Sequence, residues 1–570
     1  MTEPTGTCIN VNDSSLDTNV KPHAFWQSLV LVSLHGAFFL LAFPPYFLWP
    51  LILVAIAPLA WMALQASSTK RALMLTFGTQ FLMWLWMGRW MISVTIAGYP
   101  AYALYLSIYP LIFVWLIRRL PRNPWVAKLP MTFLLPLLWV GLECLKGSVI
   151  WNGYPWFLLA HPTIEWSVQA QSADLLGAYF VSFIVALGSG VLVDVWRWRR
   201  GLIPKAQVVK LVVFVATVFT LNIVYGVWRT SQDKVLRPGP SIFVIQTNLP
   251  QDNKIRWTHE AQVRDFRHFI QMTRERIDSL ETLPDLIAWP ETMLPGFGLE
   301  PEEIAFLEEG GYFPQDFFSR SIVGLRNELK VPFLVGSPVY LNLRVEDQRF
   351  AWDENYNSVY LIDGEPPYQR YDKKVLTPFG ETMPYISAWP WLEKQLLSLG
   401  AQGMTFSLDS SDELRLLDLA WQDQKISMAA PICFEDTVAS LCRQMVWREG
   451  GKKADLFVNL SNDGWYGGSS EGRIQHAQIA RFRCIENRLP MVRIVNTGLS
   501  MLIDSSGNVA RTIGEGRYGD GRIEGSLLAD VQLDSRRTLY GSLGDMWGWI
   551  CLGLTLSITA MTFSRRLGRR

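Results

Sequence analysis

Hydrophobic and polar positions divide the chain into three stretches. From 25 to 228, long apolar runs follow one another with short interruptions. From 240 to 535, apolar positions come in short groups separated by turns, and 546–564 is apolar again. A bilayer span needs about 20 mostly apolar residues. On that measure the pattern predicts about eight spans: 25–43, 48–65, 72–94, 101–117, 130–147, 175–196, 210–228 and 546–564. Only "AFPPYFLWP" separates the first two, which leaves room for a tight hairpin. The polar first 22 residues lack the basic-then-apolar order of a cleaved signal peptide, so the first span is expected to remain.

Lys and Arg in short loops set orientation. They crowd into "ASSTKRA", "IRRLPRNPWVAK", "WRWRRGLIPKAQVVK" and the terminal "SRRLGRR", whereas "AFPPYFLWP" and "AGYPA" have none. Every basic loop falls on one side if the N-terminus is cytoplasmic. The expected organisation is then a cytoplasmic tail (1–24), seven spans (25–228), an extracytoplasmic domain (240–535), a returning span (546–564) and a basic cytoplasmic tail (565–570).

Between 241 and 510 the β-rich runs "SIFVIQTN", "DLIAWPE", "VPFLVGSPVY", "YNSVYLID", "KISMAAPICFE", "ADLFVNLSND", "MVRIVNTG" and "SMLIDSSGNVA" alternate with helical stretches such as "HEAQVRDFRHFIQMTRERIDSL" and "IQHAQIARFRCIENR". This is an α/β pattern. Residues 298–318 read as an acidic surface insertion.

Composition sharpens the picture. Of 570 residues, 49% are hydrophobic and 18% charged, against about a quarter charged in ordinary soluble domains. The net charge of +1 argues against a nucleic-acid partner. Six Cys at 8, 144, 433, 442, 484 and 551 show neither a CxxC pair nor metal-ligand spacing. Three of them fall in the outer domain, and an odd number there leaves at least one thiol free.

Polar residues cluster at strand ends, where a buried strand has no structural need of them and where α/β folds place function. "AWPET" presents Glu291, "YDKKVLTPFGETMP" presents Lys373 and Glu381, and "AAPICFED" presents Cys433 and Glu435. "VNLSNDGWYGG" presents Asn459, Ser461, Asn462, Asp463 and Trp465. Taken alone, a cysteine flanked by apolar residues is more often packing than chemistry.

A Glu after one strand, a Lys after another and a Cys after a later one resemble the carbon–nitrogen hydrolase (nitrilase) superfamily. With the membrane segments, the chain resembles the apolipoprotein N-acyltransferase family, whose members add the third acyl chain to bacterial lipoproteins. The likeness covers almost the whole chain, through "LIAWPETMLP", "YDKKVLTPFGE", "ICFED", "LSNDGWYG", "QHAQIARFRCIENRLPMVRIVNTG", "NGYPWFLLA" and "DLLGAYFVSFIVALGSG".

It implies an α-helical membrane bundle joined to an αββα sandwich, and a catalytic triad of Glu291, Lys373 and Cys433. Family spacing selects Lys373 over Lys374, eight positions before Glu381. The chemistry is consistent: a thiol must lose its proton to attack an ester, Glu291 can accept it, and Lys373 can stabilise thiolate and oxyanion. The Phe434 N–H, just after the nucleophile, would be a second oxyanion donor. Glu381 and Glu435 would support the site or serve purely as structural ion pairs. Trp257 and Trp465 match aromatic positions that the family uses near the substrate, with packing the alternative for both, and Tyr466 follows Trp465 on the same loop and is counted with them. His476, in a predicted helix, is read as a surface or packing residue rather than a catalytic base.

In the membrane half, Arg89 is either an interfacial anchor or a ligand for a lipid phosphate, and Glu143 and Lys146 at i, i+3 would pair. Lys146-Gly147 and Ala160-His161 depart from the family's Arg-Gly and Tyr-Ser, which bears on lipid preference rather than on the reaction. The partners implied are a phospholipid acyl donor, usually phosphatidylethanolamine, and a diacylated apolipoprotein. The enzyme would act through a thioester, as a monomer of the bacterial inner membrane facing the periplasm, without cofactor or metal. The rivals are a membrane-tethered amidase or nitrilase with the same triad, and a non-enzymatic lipoprotein-binding protein.

Overall fold

The structure is a computed structural model that describes residues 23–96, 98–249, 257–312, 315–382, 389, 391 and 408–564. The basic tail and nearly all of the N-terminal tail lie outside the described residues.

The first half is helical: α1 (Phe25–Ala42), α2 (Ile56–Gln65), α3 (Thr69–Met87), α4 (Gly98–Arg119), α5 (Met131–Cys144), α6 (Ala173–Arg199) and α7 (Lys205–Thr230). Among the described residues, six helical segments are long and apolar enough to cross a membrane: Phe25–Ala42, Gly98–Arg122, Met131–Asn152, Ala173–Arg199, Lys205–Thr230 and Met546–Phe563. Two of the eight expected spans therefore differ.

The 48–65 run breaks into a 3-10 turn at Trp49–Leu53 and the ten-residue α2, about 15 Å long and half a bilayer core. The break is satisfied from the neighbouring helix. Ser189 of α6 accepts the Ile56 N–H at 3.2 Å and donates to the Leu53 carbonyl at 3.1 Å, as unpaired backbone in an apolar interior requires. α3 is long enough but carries Lys70, Arg71, Thr76, Thr79 and Gln80. It starts later than α2 ends because the Ser68 side chain accepts the Arg71 N–H and caps it.

The outer domain contains two six-stranded sheets. We number its main strands β1 (Leu236–Gln246), β2 (Leu286–Ala288), β3 (Phe333–Leu341), β4 (Glu354–Ile362), β5 (Gln369–Asp372), β6 (Leu417–Trp421), β7 (Gln424–Ala429), β8 (Leu456–Ser461), β9 (Met491–Val495), β10 (Met501–Ile503), β11 (Val509–Thr512) and β12 (Gly525–Asp534). The sheets run β12-β1-β2-β3-β4-β5 and β11-β10-β9-β8-β7-β6. Their inner faces share one core, in which Ile242, Val244, Leu286 and Leu361 meet Leu419, Met428, Leu456 and Ile494. The helices α8 (His259–Ile277), α9 (Pro301–Gly310) and α10 (Gln315–Leu329) accompany the first sheet, while α11 (Ala439–Val446) and α12 (Ser470–Asn487) accompany the second. The layers are helix, sheet, sheet, helix.

Within the expected acidic surface insertion, Pro301–Gly310 form α9 and α10 begins at Gln315, with Glu302, Glu308 and Glu309 exposed and Leu299, Leu307 and Phe318 buried. Buried Glu303 accepts the Asn342 N–H at 2.8 Å, and the acidic character belongs to the outer face of the helix.

α12 couples the halves. Although rich in Arg, Gln and Glu, it is buried nearly all round, so its polar groups must find partners inside. Gln478 donates to Glu165 at 2.8 Å, Arg481 to the Ile164 carbonyl at 2.7 Å, and Glu486 accepts the Ala178 N–H at 3.0 Å. Arg488, just beyond the helix, pairs with Asp174 at 2.6 Å, which Arg229 also reaches at 2.7 Å.

Candidate active site

Glu291 stands just past the end of β2, buried, in a turn that passes through Thr292 at φ 52°. The turn presses on β3 where Gly336 has no side chain: a Cβ there would lie 2.6 Å from the Glu291 Cα. Glu291 Oε1 accepts a hydrogen bond from the Asn357 side chain at 2.7 Å. The carbonyl of the same Asn357, on β4, accepts the Lys373 N–H at 2.9 Å, so one residue positions both charged groups.

Lys373 follows β5 and is fully buried. Its Nζ lies 2.7 Å from Glu381 and 3.9 Å from Glu291. Burial works against its charge, but the Glu381, Glu291 and Cys433 groups outweigh it and hold the ammonium above its ordinary range. Burial alone would raise Glu381, yet Lys373 and the Thr377 N–H at 2.8 Å keep that carboxyl low. The neighbouring Lys374 points outward, donating to the Asp412 carbonyl at 2.6 Å.

Cys433 comes four residues after β7 and opens a 3-10 turn, Cys433–Thr437, at φ 51°. A left-handed residue with a Cβ costs about 1–2 kcal/mol, so the surroundings must hold it. Asn459 donates to the Pro431 carbonyl at 2.9 Å and the Cys433 carbonyl at 3.3 Å. Glu435 accepts the N–H groups of Ile432, Lys374 and Val375, each at 2.8 Å, and the Tyr371 hydroxyl at 3.0 Å. It ties the cysteine turn to the lysine strand, and burial pushes its carboxyl up to about 7 despite those bonds. Burial pushes the Cys433 thiol up too; the Glu291 carboxylate adds to this, while Lys373 and a Ser461 hydrogen bond oppose it. Burial thus favours the thiol form of a sulfur that stands beside the Glu291 carboxyl and the Lys373 ammonium. Attack on a carbonyl from this state requires proton transfer to a base as the bond forms.

The aromatic positions separate. Tyr466 lies in the turn Asp463–Tyr466, its ring 5.0 Å from Trp90 and 6.0 Å from Trp156 of the membrane half, and near enough to Cys433 for the two groups to interact electrostatically. Trp465 beside it is half-buried. Trp257 donates to Asp265 at 2.9 Å and packs at the edge of the core under α8.

Arg89 pairs with Glu471 at the start of α12 and lies over the Trp86 ring, so its charge is engaged in joining the halves. Glu143 and Lys146 do not bond each other as expected. Both are buried, and the 150s loop supplies better partners: Lys146 donates to the Trp156 carbonyl at 2.6 Å, and Glu143 accepts the Leu159 N–H at 2.8 Å. His476 is buried and held by two aspartates rather than on the surface.

Asn357, Tyr371 and Asp436 escaped the sequence reading. A signal existed for the first: Asn355 and Asn357 sit two apart on one face of a strand, both buried, where an apolar pair would ordinarily stand. Among the described residues no cluster of metal-ligating side chains occurs.

Comparison with known proteins finds two matching domains along the chain. Residues 35–191 match the apolipoprotein N-acyltransferase N-terminal domain, and residues 260–539 match the carbon–nitrogen hydrolase family. An apolipoprotein N-acyltransferase of Geobacter metallireducens is 28% identical over 557 residues, 95% of this chain and 96% of that one. One from Vibrio vulnificus is 27% identical over 553 residues, covering 92% and 95%. The crystal structure of a carbon–nitrogen hydrolase from Helicobacter pylori G27 aligns with 58% of this chain and 95% of that one, at 14% identity and a TM-score of 0.33.

Proposed function

Because the chain belongs to the apolipoprotein N-acyltransferase family, with its membrane domain and its carbon–nitrogen hydrolase domain in one polypeptide, we propose that it moves an acyl chain from a phospholipid to the N-terminus of bacterial lipoproteins through Glu291, Lys373 and Cys433. Cys433 Sγ attacks the ester carbonyl of the donor, taken as phosphatidylethanolamine, while Glu291 accepts the thiol proton. The Lys373 ammonium and the Phe434 N–H donate to the oxyanion, each such donor being worth about 3–4 kcal/mol. Collapse of the tetrahedral intermediate expels lysophospholipid, which takes the proton from Glu291, and leaves a thioester on Cys433. The α-amino group of a diacylglyceryl-cysteine then attacks the thioester and gives its proton to Glu291. Amide forms and thiol is regenerated, a ping-pong sequence.

Glu381 keeps Lys373 charged and in place, and Glu435 fixes the cysteine turn. Tyr466 and Trp465 line the approach from the membrane half, and Trp257 takes the substrate-side position that the family resemblance gives it. Arg89 serves best as an anchor between the halves. The outer domain faces the periplasm. Counting both the 49–65 and 69–87 segments as spans, or neither, leaves an odd number, seven or five, before that domain, which agrees with a cytoplasmic N-terminus and a periplasmic outer domain.

The observation that carries this reading is the ammonium of Lys373 held within 3.9 Å of Glu291 and 2.7 Å of Glu381 under a strained, partly exposed cysteine. The test is mass spectrometry after incubation with phosphatidylethanolamine. An acyl adduct on Cys433, discharged by a diacylated peptide and lost in Cys433→Ala, is expected. Acyl transfer by that variant, or an adduct on another residue, would defeat the assignment.

A further inference from the structure

His476 takes no part in the reaction above, yet it centres a buried charged cluster beside the thiol's turn. It is 1% exposed and rides on α12. Its Nε2 lies 2.7 Å from Asp436 Oδ1 and its Nδ1 3.0 Å from Asp463 Oδ1. Two carboxylates call for a proton on each ring nitrogen, which makes the ring an imidazolium. Asp436 belongs to the turn that Cys433 opens, and Asp463 opens the turn that carries Trp465 and Tyr466.

Arg493 on β9 balances the charge. It stands 3.9 Å from Asp436 and 3.6 Å from Asp463, with its Nη2 3.3 Å from Nδ1, a longer contact than the carboxylate's. Arg473, on the same helix, adds positive charge toward Asp463. From the membrane half the Trp156 ring lies 5.9 Å from the imidazole, and the Tyr466 ring 6.2 Å. The helix that bears His476 is itself fastened to the membrane half through Glu165, Ala178 and Arg89.

We infer that His476 is a positioning residue for acyl transfer: its imidazolium clasps the Cys433 turn to the Trp465–Tyr466 turn and helps hold the nucleophile in its left-handed backbone conformation. Such a conformation persists only where the surroundings over-determine it, and Asp436, three residues on, is the turn's attachment to the second sheet's helix. The inference rests on Cys433 being the nucleophile.

The test uses the full-length protein in detergent, with phosphatidylethanolamine bearing a labelled acyl chain, and follows thioester formation at Cys433 in single turnover. His476→Gln keeps one donor and removes the charge; Asp436→Asn removes one end of the clasp and decides the matter where His476→Gln does not fold. Displacement of a reacting group by an ångström costs about 100-fold, so both variants are expected to form the thioester about 100-fold more slowly with the donor's KM within about twofold of wild type. A folded variant acylating Cys433 at the wild-type rate, or one whose loss lies wholly in KM, overturns the inference alone. A wild-type thioester on another residue overturns the reading of Cys433, and this inference with it.

Discussion

At the residue scale the environment separates two adjacent lysines that composition treats alike. Lys373 is sealed between Glu381 and Glu291, whereas Lys374 reaches outward to loop carbonyls. Lys373→Ala is expected to lower acyl transfer by 10²–10³, about the cost of one oxyanion donor, and Lys374→Ala to leave it within about twofold; steady-state turnover of a diacylated peptide checks both, and the reverse order would reassign the lysine. His476 gives a pH dependence. Burial opposes its charge, but Asp436 and Asp463 outweigh burial and raise it to about 9 from 6.5. Because the folded state binds this proton more tightly, the stabilisation is complete below about pH 6.5 and lost as pH rises through about 9, some 3 kcal/mol in all. Thermal unfolding in detergent across that window should show a falling Tm, and His476→Gln should flatten the fall. A wild-type Tm independent of pH there would mean that the ring is neutral.

At the scale of elements, the site depends on how β2, β5 and β7 end and on what the interiors of β3 and β4 place beside those ends. Glu291 and Cys433 were visible because polar residues at the ends of apolar runs stand out. The contact that fixes Glu291 was not, since Gly336 reads as an ordinary strand glycine. Its want of a Cβ matters only because the Glu291 turn presses against it, with the Glu291 Cα, Pro290 carbonyl and Thr292 N–H all near 2.6 Å from that point. Gly336→Ala is therefore expected to cost about 1–3 kcal/mol of stability and to lower kcat about 100-fold by moving Glu291. Denaturation and kinetics on one preparation check the pair, and full activity would show that the turn yields freely. Segment 49–65 shows the opposite failure: its hydrophobic run is long enough for a span, but backbone breaks satisfied by Ser189 divide it, and hydropathy does not register them.

At the scale of the whole molecule, the two halves meet through buried ion pairs whose members are far apart in sequence. Asp174 holds both Arg229 and Arg488 and accepts the Tyr225 hydroxyl at 2.7 Å. Asp174→Ala strands two buried cations and is expected to destabilise the protein by about 3–5 kcal/mol, read as a large fall in Tm in detergent; a Tm near wild type would mean that water reaches the seam. The sequence by itself determined the division into membrane and α/β halves, because hydrophobic runs of fixed length and short β-rich groups are local signals. It also marked Glu291, Lys373 and Cys433 as candidates, through their places at strand ends and the resemblance of their motifs to the carbon–nitrogen hydrolase superfamily. Only the tertiary structure decided which partners those residues take: Asn357 beneath Glu291, Glu435 across the cysteine turn, His476 between two aspartates, and the 150s loop between Glu143 and Lys146. These contacts join separate elements, from ten residues apart for Lys146 and Trp156 to 66 for Asn357 and Glu291, and are selected by the cost of leaving a buried charge unpaired, which no hydrophobic periodicity encodes.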